Sequence, residues 1–152
     1  MATAAQAMTA VLAVSQVLGG AKAVGRNLRN TGELAAAIRA GLPAASAAAL
    51  AQRLGLTQTE SAAVLGMSAR TLQRRLAQGA RLTPVESDRV VRVAQVLAAA
   101  IEVLADQTRA VAWLRAPNRA LGGAVPLAEI TTGPGATAVQ QVLGRIAYGG
   151  YS

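Results

Sequence analysis

Thr57 to Gly79, TQTESAAVLGMSARTLQRRLAQG, decides the fold. Thr57 followed three residues later by Glu60 is a capping box, in which the hydroxyl accepts from the Glu60 amide and the carboxylate reaches back to the Thr57 amide. A helix therefore begins near Gln58, with Ala62, Ala63 and Leu65 as its expected apolar face. Gly66 can take the left-handed conformation that ends a helix at little steric cost. Ser68 then caps a second helix, Ala69 to Gln78. Its Leu72 and Leu76 stand four residues apart on one face, which leaves Arg70, Gln73, Arg74 and Ala77 on others. Two short helices joined by a tight turn make a helix-turn-helix, and small Ala62 is expected to let them cross closely.

In such a unit the second helix lies in the major groove with the residues near its N-terminus at base edges. Ser68, Arg70, Thr71, Gln73 and Arg74 are therefore the candidate base contacts, because Arg can bridge guanine O6 and N7 and Gln can pair with adenine. Arg75 and Arg81 are candidates for phosphate contacts. The competing reading is an αα-hairpin whose arginines form a solvated face. Caps, glycine turn and arginine cluster coincide on one short segment, and the net charge of +8 agrees with a polyanionic partner, so DNA is the preferred reading.

The wider composition excludes more than it proves. Phe is absent and only Trp113, Tyr148 and Tyr151 are aromatic, so the core must come from Ala, Leu, Val and Ile. Ala-rich composition favours helix, and no stretch alternates with the period of a strand, which predicts an all-α chain. With no His, no Cys and seven scattered carboxylates there is no nucleophile and base pair, no zinc spacing and no carboxylate cluster for magnesium. No glycine-rich phosphate loop is present either. No enzyme activity, metal or cofactor is expected. Met1 to Leu18 has the apolar run of a secretory signal, but no Lys or Arg precedes Lys22 and polar residues interrupt it, so a cytoplasmic protein is expected.

Outward from the central segment the chain divides into four parts. Residues 1–40 read as an N-terminal extension, helical or partly disordered, with a short helix over Glu33 to Ala40. Residues 41–82 form the helix-turn-helix domain, entered through a helix over Ala47 to Leu54. Thr83-Pro84-Val85-Glu86 is a second capping box with Pro at the first helical position, which predicts a long helix from Pro84 to about Leu104. The charges on that helix rule out a membrane span. Its apolar residues spread too widely for one neighbour, so residues 83–106 are expected to connect the two halves or to form a dimer seam; a core helix of a monomer is the alternative. Residues 107–152 contain a helix over Asp106 to Leu114, a turning stretch, and a helix over Gly135 to Ala147. Trp113, Leu121 and Pro126 are read as holding the fold of this part. The closing Tyr148-Gly149-Gly150-Tyr151-Ser152 has no obvious core to fill.

Taken together, Ser68-Ala69-Arg70-Thr71, Glu86-Ser87-Asp88-Arg89, and Trp113-Leu114-Arg115-Ala116-Pro117-Asn118 with Leu121-Gly122-Gly123 resemble the Xre antitoxins of RES-Xre toxin-antitoxin pairs, a group that includes ParS and MbcA. The resemblance runs from about Gly41 to the end. It implies an Xre/Cro-like DNA-binding domain followed by a small helical toxin-binding domain, and a partner RES-domain toxin that consumes NAD or ADP-ribosylates a target. It also implies that the C-terminal residues enter the toxin's active-site cleft, which makes Arg145, Tyr148, Gly149, Gly150, Tyr151 and Ser152 the toxin-binding set. Repression of its own operon as a homodimer, within a hetero-oligomer with toxin, is implied as well. Gly133-Pro134-Gly135 and the added Gly150 depart from the expected pattern. The alternative is a stand-alone helix-turn-helix transcriptional regulator without a toxin.

Overall fold

The computed structural model describes residues 3–149, and among these every regular element is helical. The α-helices are α1 (Ala4–Val17), α2 (Gly20–Val24), α3 (Thr31–Ala40), α4 (Ala44–Leu54), α5 (Gln58–Leu65), α6 (Ala69–Gln78), α7 (Pro84–Leu104), α8 (Gln107–Leu114), α9 (Pro126–Glu129) and α10 (Gly133–Ala147). A single 3-10 turn, Arg119–Leu121, lies between α8 and α9. No helix among the described residues is long and apolar enough to cross a membrane. Packing divides the chain into two units between Gln95 and Val96.

The caps read from the sequence form as expected. Thr57 Oγ1 accepts from the Glu60 amide at 3.2 Å while Glu60 Oε1 accepts from the Thr57 amide at 2.9 Å. Ser68 Oγ accepts from the Thr71 amide, and Thr83 with Glu86 closes the second box. A third box, Thr3 with Gln6, starts α1; its T-x-x-Q signature is legible in the sequence. Residues 1–40, read as an extension, take helical form from Ala4 to Val24 and again from Thr31. There α1 packs on α2, α3 and α4, and Val11, Val14, Val17, Leu18, Val24 and Leu28 are buried in the first unit.

The inner face of α5 differs from expectation. Ala62 and Ala63 are exposed, and Ser61, Val64 and Leu65 point inward. Residues 61, 64 and 65 fall on one side of the helix, and a buried serine is tolerated because its hydroxyl donates to the Met67 carbonyl at 3.1 Å. The close crossing with α6 therefore owes nothing to Ala62.

Two connections tie the first unit together. Residues 41–44 run antiparallel to residues 80–82: Leu82 N–H donates to the Leu42 carbonyl, Ala44 N–H to the Ala80 carbonyl, and Pro43 pairs with Arg81. Gly41, at φ +87°, makes this approach possible, since a Cβ there would stand 2.3 Å from the Leu82 carbonyl oxygen. The second connection is the start of α7. Ser87 is fully buried and its hydroxyl accepts from the Leu42 amide at 2.8 Å. Arg89 donates to the carbonyls of Ala63 and Val64 at the end of α5, where helical carbonyls lack partners of their own. Along α7, Val90, Val91, Val93, Ala94, Val96, Leu97, Ala98 and Ala100 are buried within the single chain, and Val85 is its strongly exposed apolar residue.

In the second unit Leu97, Leu114, Leu127, Ile130, Val139, Val142 and Leu143 make the core. Pro126 is buried, and Trp113 and Leu121 are half-buried. Asn118, also buried, organises the turning stretch: its side-chain oxygen accepts from the Ala120 amide, its own amide donates to the Ala124 carbonyl, and its carbonyl accepts from Leu121 and Gly123. Thr132 caps α10 through the Gly135 amide, so that helix begins at Gly133, two residues before the expected start.

Replacing Ser87 with Ala strands the Leu42 amide in a dry site, and should lower unfolding stability by about 1–3 kcal/mol. The urea midpoint followed by circular dichroism reads it. Asp88→Ala, at the exposed Asp88–Arg92 pair, should change stability by no more than about 0.5 kcal/mol.

Candidate functional site

The six residues picked from α6 and its cap do not share one fate. Ser68, Arg70, Gln73 and Arg74 are exposed, and Arg70, Gln73, Arg74 and Ala77 lie at the i, i+3, i+4, i+7 spacing of one helix face. Leu72 is buried on the opposite side and Leu76 is half-buried. Thr71 is half-buried, and its hydroxyl accepts from Ser68 Oγ at 3.0 Å, so this pair first serves the helix start. Arg75 departs from its expected place at a phosphate: it is half-buried and donates to Glu86 of α7, both side chains being about one-fifth exposed. The cause is helical phase. Residue 75 follows the exposed Arg74 by a 100° turn, which brings it round toward α7. Arg81 is exposed and donates to the Gly41 carbonyl at 2.8 Å.

Glu86 thus does two jobs, accepting from the Thr83 amide at 2.8 Å and from Arg75. Burial pushes its carboxyl up, but the hydrogen bonds from Arg75 and Thr83 and the charge of Arg75 outweigh burial and hold it below the ordinary 4.5. Neither Ser87 nor Arg89 carried a role in the sequence beyond belonging to a family-like motif, because their partners lie 45 and about 25 residues away.

The second cluster lies at the end of α10. The inward face is Ala136, Val139, Val142 and Leu143, all buried. On the outward face Gln141, Gly144, Arg145 and Tyr148 line a shallow, open depression. Arg145 and Gly149 are exposed, and Tyr148 is 92% exposed. Gly150, Tyr151 and Ser152, the other members of the expected toxin-binding set, lie outside the described residues.

Residues 33–95 match the Antitoxin Xre-like helix-turn-helix domain, and residues 99–149 match the Antitoxin Xre/MbcA/ParS C-terminal toxin-binding domain. The chain belongs to the Xre antitoxin family. The first match opens within α3, so the family region extends ahead of Gly41, the expected start of the resemblance. Antitoxin Xre of Pseudomonas putida is 35% identical over 100 residues, covering 66% of this chain and 62% of that protein. Antitoxin Xre of Yersinia enterocolitica is 34% identical over 88 residues, covering 57% and 60%, and that of Photorhabdus laumondii 31% over 87 residues, covering 57% and 59%. The chain thus spans about three fifths of the length of the curated relatives it matches. The helix-turn-helix region precedes the C-terminal one, and α7 runs from one matched region into the other.

Because the folded carboxyl of Glu86 titrates below its unfolded value, its contribution to stability is complete above about pH 4.5 and is lost as the pH falls through the folded value. Glu86→Gln keeps an oxygen for the Thr83 amide and removes the charge. The wild-type chain should therefore exceed this variant in stability at neutral pH, with the gap closing below about pH 4.5 in urea titrations at several pH values.

Proposed function

We propose that this chain is an antitoxin that neutralises a RES-domain toxin by direct binding, and that it represses its own operon through α6. The observation that carries the first part is the position of Tyr148. It is an aromatic ring left almost wholly in solvent at the end of a helix whose inner face is already packed, next to Arg145. Such a ring contributes binding energy only when another surface covers it. The segment that follows, Gly149 to Ser152, carries two glycines that let a backbone approach closely and a second aromatic that fills a flat pocket. An NAD-handling cleft, built to stack a nicotinamide or adenine ring, is such a pocket. Arg145, Tyr148, Gly149, Gly150, Tyr151 and Ser152 then plug the active site, and the chain itself performs no chemistry.

The DNA part rests on the exposed face of α6. Arg70, Gln73 and Arg74 read base edges, Ser68 and Thr71 set the helix start against the groove, and Arg75 acts within the protein. A homodimer on an inverted repeat, joined to toxin in a hetero-oligomer in the cytoplasm, is the working assembly.

Two experiments separate these activities. Deleting residues 148–152 should abolish rescue of cells expressing the neighbouring RES gene and leave operator binding intact; full rescue by the truncated chain would refute occlusion by the tail. Replacing Arg70 and Arg74 with Ala should cost about 1–3 kcal/mol per lost base contact in operator affinity, with rescue retained. An unaltered footprint would remove both arginines from the reading surface. Operator binding by a chain that never rescues, whole or truncated, would identify the stand-alone regulator instead.

A further inference from the structure

Three separate stretches that each carry an arginine adjoin one another just past the C-terminal end of α6. Arg81 follows that helix and pairs with Pro43 across the short antiparallel contact. Arg39 sits in the last turn of α3, two residues before Gly41, whose Cβ position would be 3.7 Å from the Arg81 Cβ. Arg26 follows the turn at Gly25, where a Cβ would be 3.5 Å from Pro43 Cγ. All three arginines are exposed. Among the described residues Arg26 and Arg39 have no hydrogen-bond or ion-pair partner, and Arg81 donates to a neutral carbonyl.

The nearby acids are engaged elsewhere. Glu33 takes Arg29 and the side chain of Asn30, Glu86 takes Arg75, and Asp88 takes Arg92. Three exposed cations on adjoining segments, with no acid paired to any of them, raise the local positive potential, and an anion is attracted there. The location says which anion. The ten residues of α6 make a rod about 15 Å long, and the major groove is about 12 Å wide, so a helix with its N-terminal turn at the bases carries its C-terminal end over a phosphate strand.

We infer that Arg26 and Arg39, together with Arg81, clamp the phosphate backbone beside the base-reading face, so that the N-terminal helices enlarge the DNA footprint. This rests on the DNA reading proposed above. Arg26 lies ahead of the matched helix-turn-helix region, in a part of the chain to which the family comparison gives no role. Phosphate contacts add affinity without sequence preference and add to the salt dependence of binding.

The test uses the full-length chain, a duplex of the DNA upstream of its gene, and a scrambled duplex of equal length. Dissociation constants are measured at several salt concentrations for the wild type, Arg26→Ala/Arg39→Ala and Arg70→Ala/Arg74→Ala. The Arg26/Arg39 variant should bind both duplexes more weakly by the same factor, and its slope of log affinity against log salt should be shallower by about 1 per arginine. The Arg70/Arg74 variant should lose the preference for the upstream duplex. An unchanged salt slope in the Arg26/Arg39 variant, with wild-type binding intact, overturns the clamp and leaves the DNA reading standing; so does weaker toxin co-purification with unchanged DNA binding. A wild type that binds neither duplex defeats the DNA reading and the clamp with it. Unaltered thermal melting of the variant shows that the fold is kept.

Discussion

Three residues in the first turn and a half of α7 bind three other elements, and the shape of the first unit follows from those bonds. Glu86 takes Arg75 from α6, Ser87 takes the amide of Leu42 at the entrance to α4, and Arg89 caps the end of α5. Each bond satisfies a group that would otherwise be costly. Leu42 N–H is buried, the α5 carbonyls are the orphans of a helix end, and Arg75 is a half-buried charge. A guanidinium at a helix C-terminus also opposes the partial negative charge there. The helix pair is therefore held by the helix that follows it as well as by its own turn.

That anchoring decides which charges on α6 are available. Arg74 and Arg75 are adjacent in sequence, yet one stays in solvent and the other is drawn into an ion pair. With Arg75 engaged, the outward surface is a narrow stripe of Arg70, Gln73, Arg74 and Ala77, the width that a groove admits. Arg75 fixes the rotation of that stripe about the helix axis relative to α7, so it positions the stripe instead of belonging to it.

The second unit applies the same economy to a different end. Asn118 holds a stretch rich in Gly and Pro with bonds from its side chain, amide and carbonyl, and Thr132 starts α10 with another. Once α10 has buried Ala136, Val139, Val142 and Leu143, its end turns Arg145, Ala147 and Tyr148 outward. Side chains at the end of a firmly packed helix keep their orientation, and under the proposed occlusion they would lose little entropy when a partner covers them.

Local signals determined much of this in advance. The capping boxes at Thr57 and Thr83, the Ser68 cap, the glycine at 66 and the 3.6-residue spacing of Leu, Val and Ile are short-range effects, so helix order, the long α7 and the exposure of Arg70 and Arg74 were legible from the residues alone. Family membership was legible too, because motifs such as Trp113-Leu114-Arg115-Ala116-Pro117-Asn118 are contiguous. What needed the tertiary structure were contacts between residues apart in the chain: Arg75 with Glu86, Ser87 with Leu42, Arg89 with the end of α5, and the adjoining of the segments around Gly25, Gly41 and Arg81. The phase of α5 also escaped, since an Ala pair reads as more apolar than a serine until the turn brings the Met67 carbonyl to the Ser61 hydroxyl. Periodicity tells which side of a helix is oily; which polar groups find partners across the fold depends on how helices pack, and no local pattern encodes that.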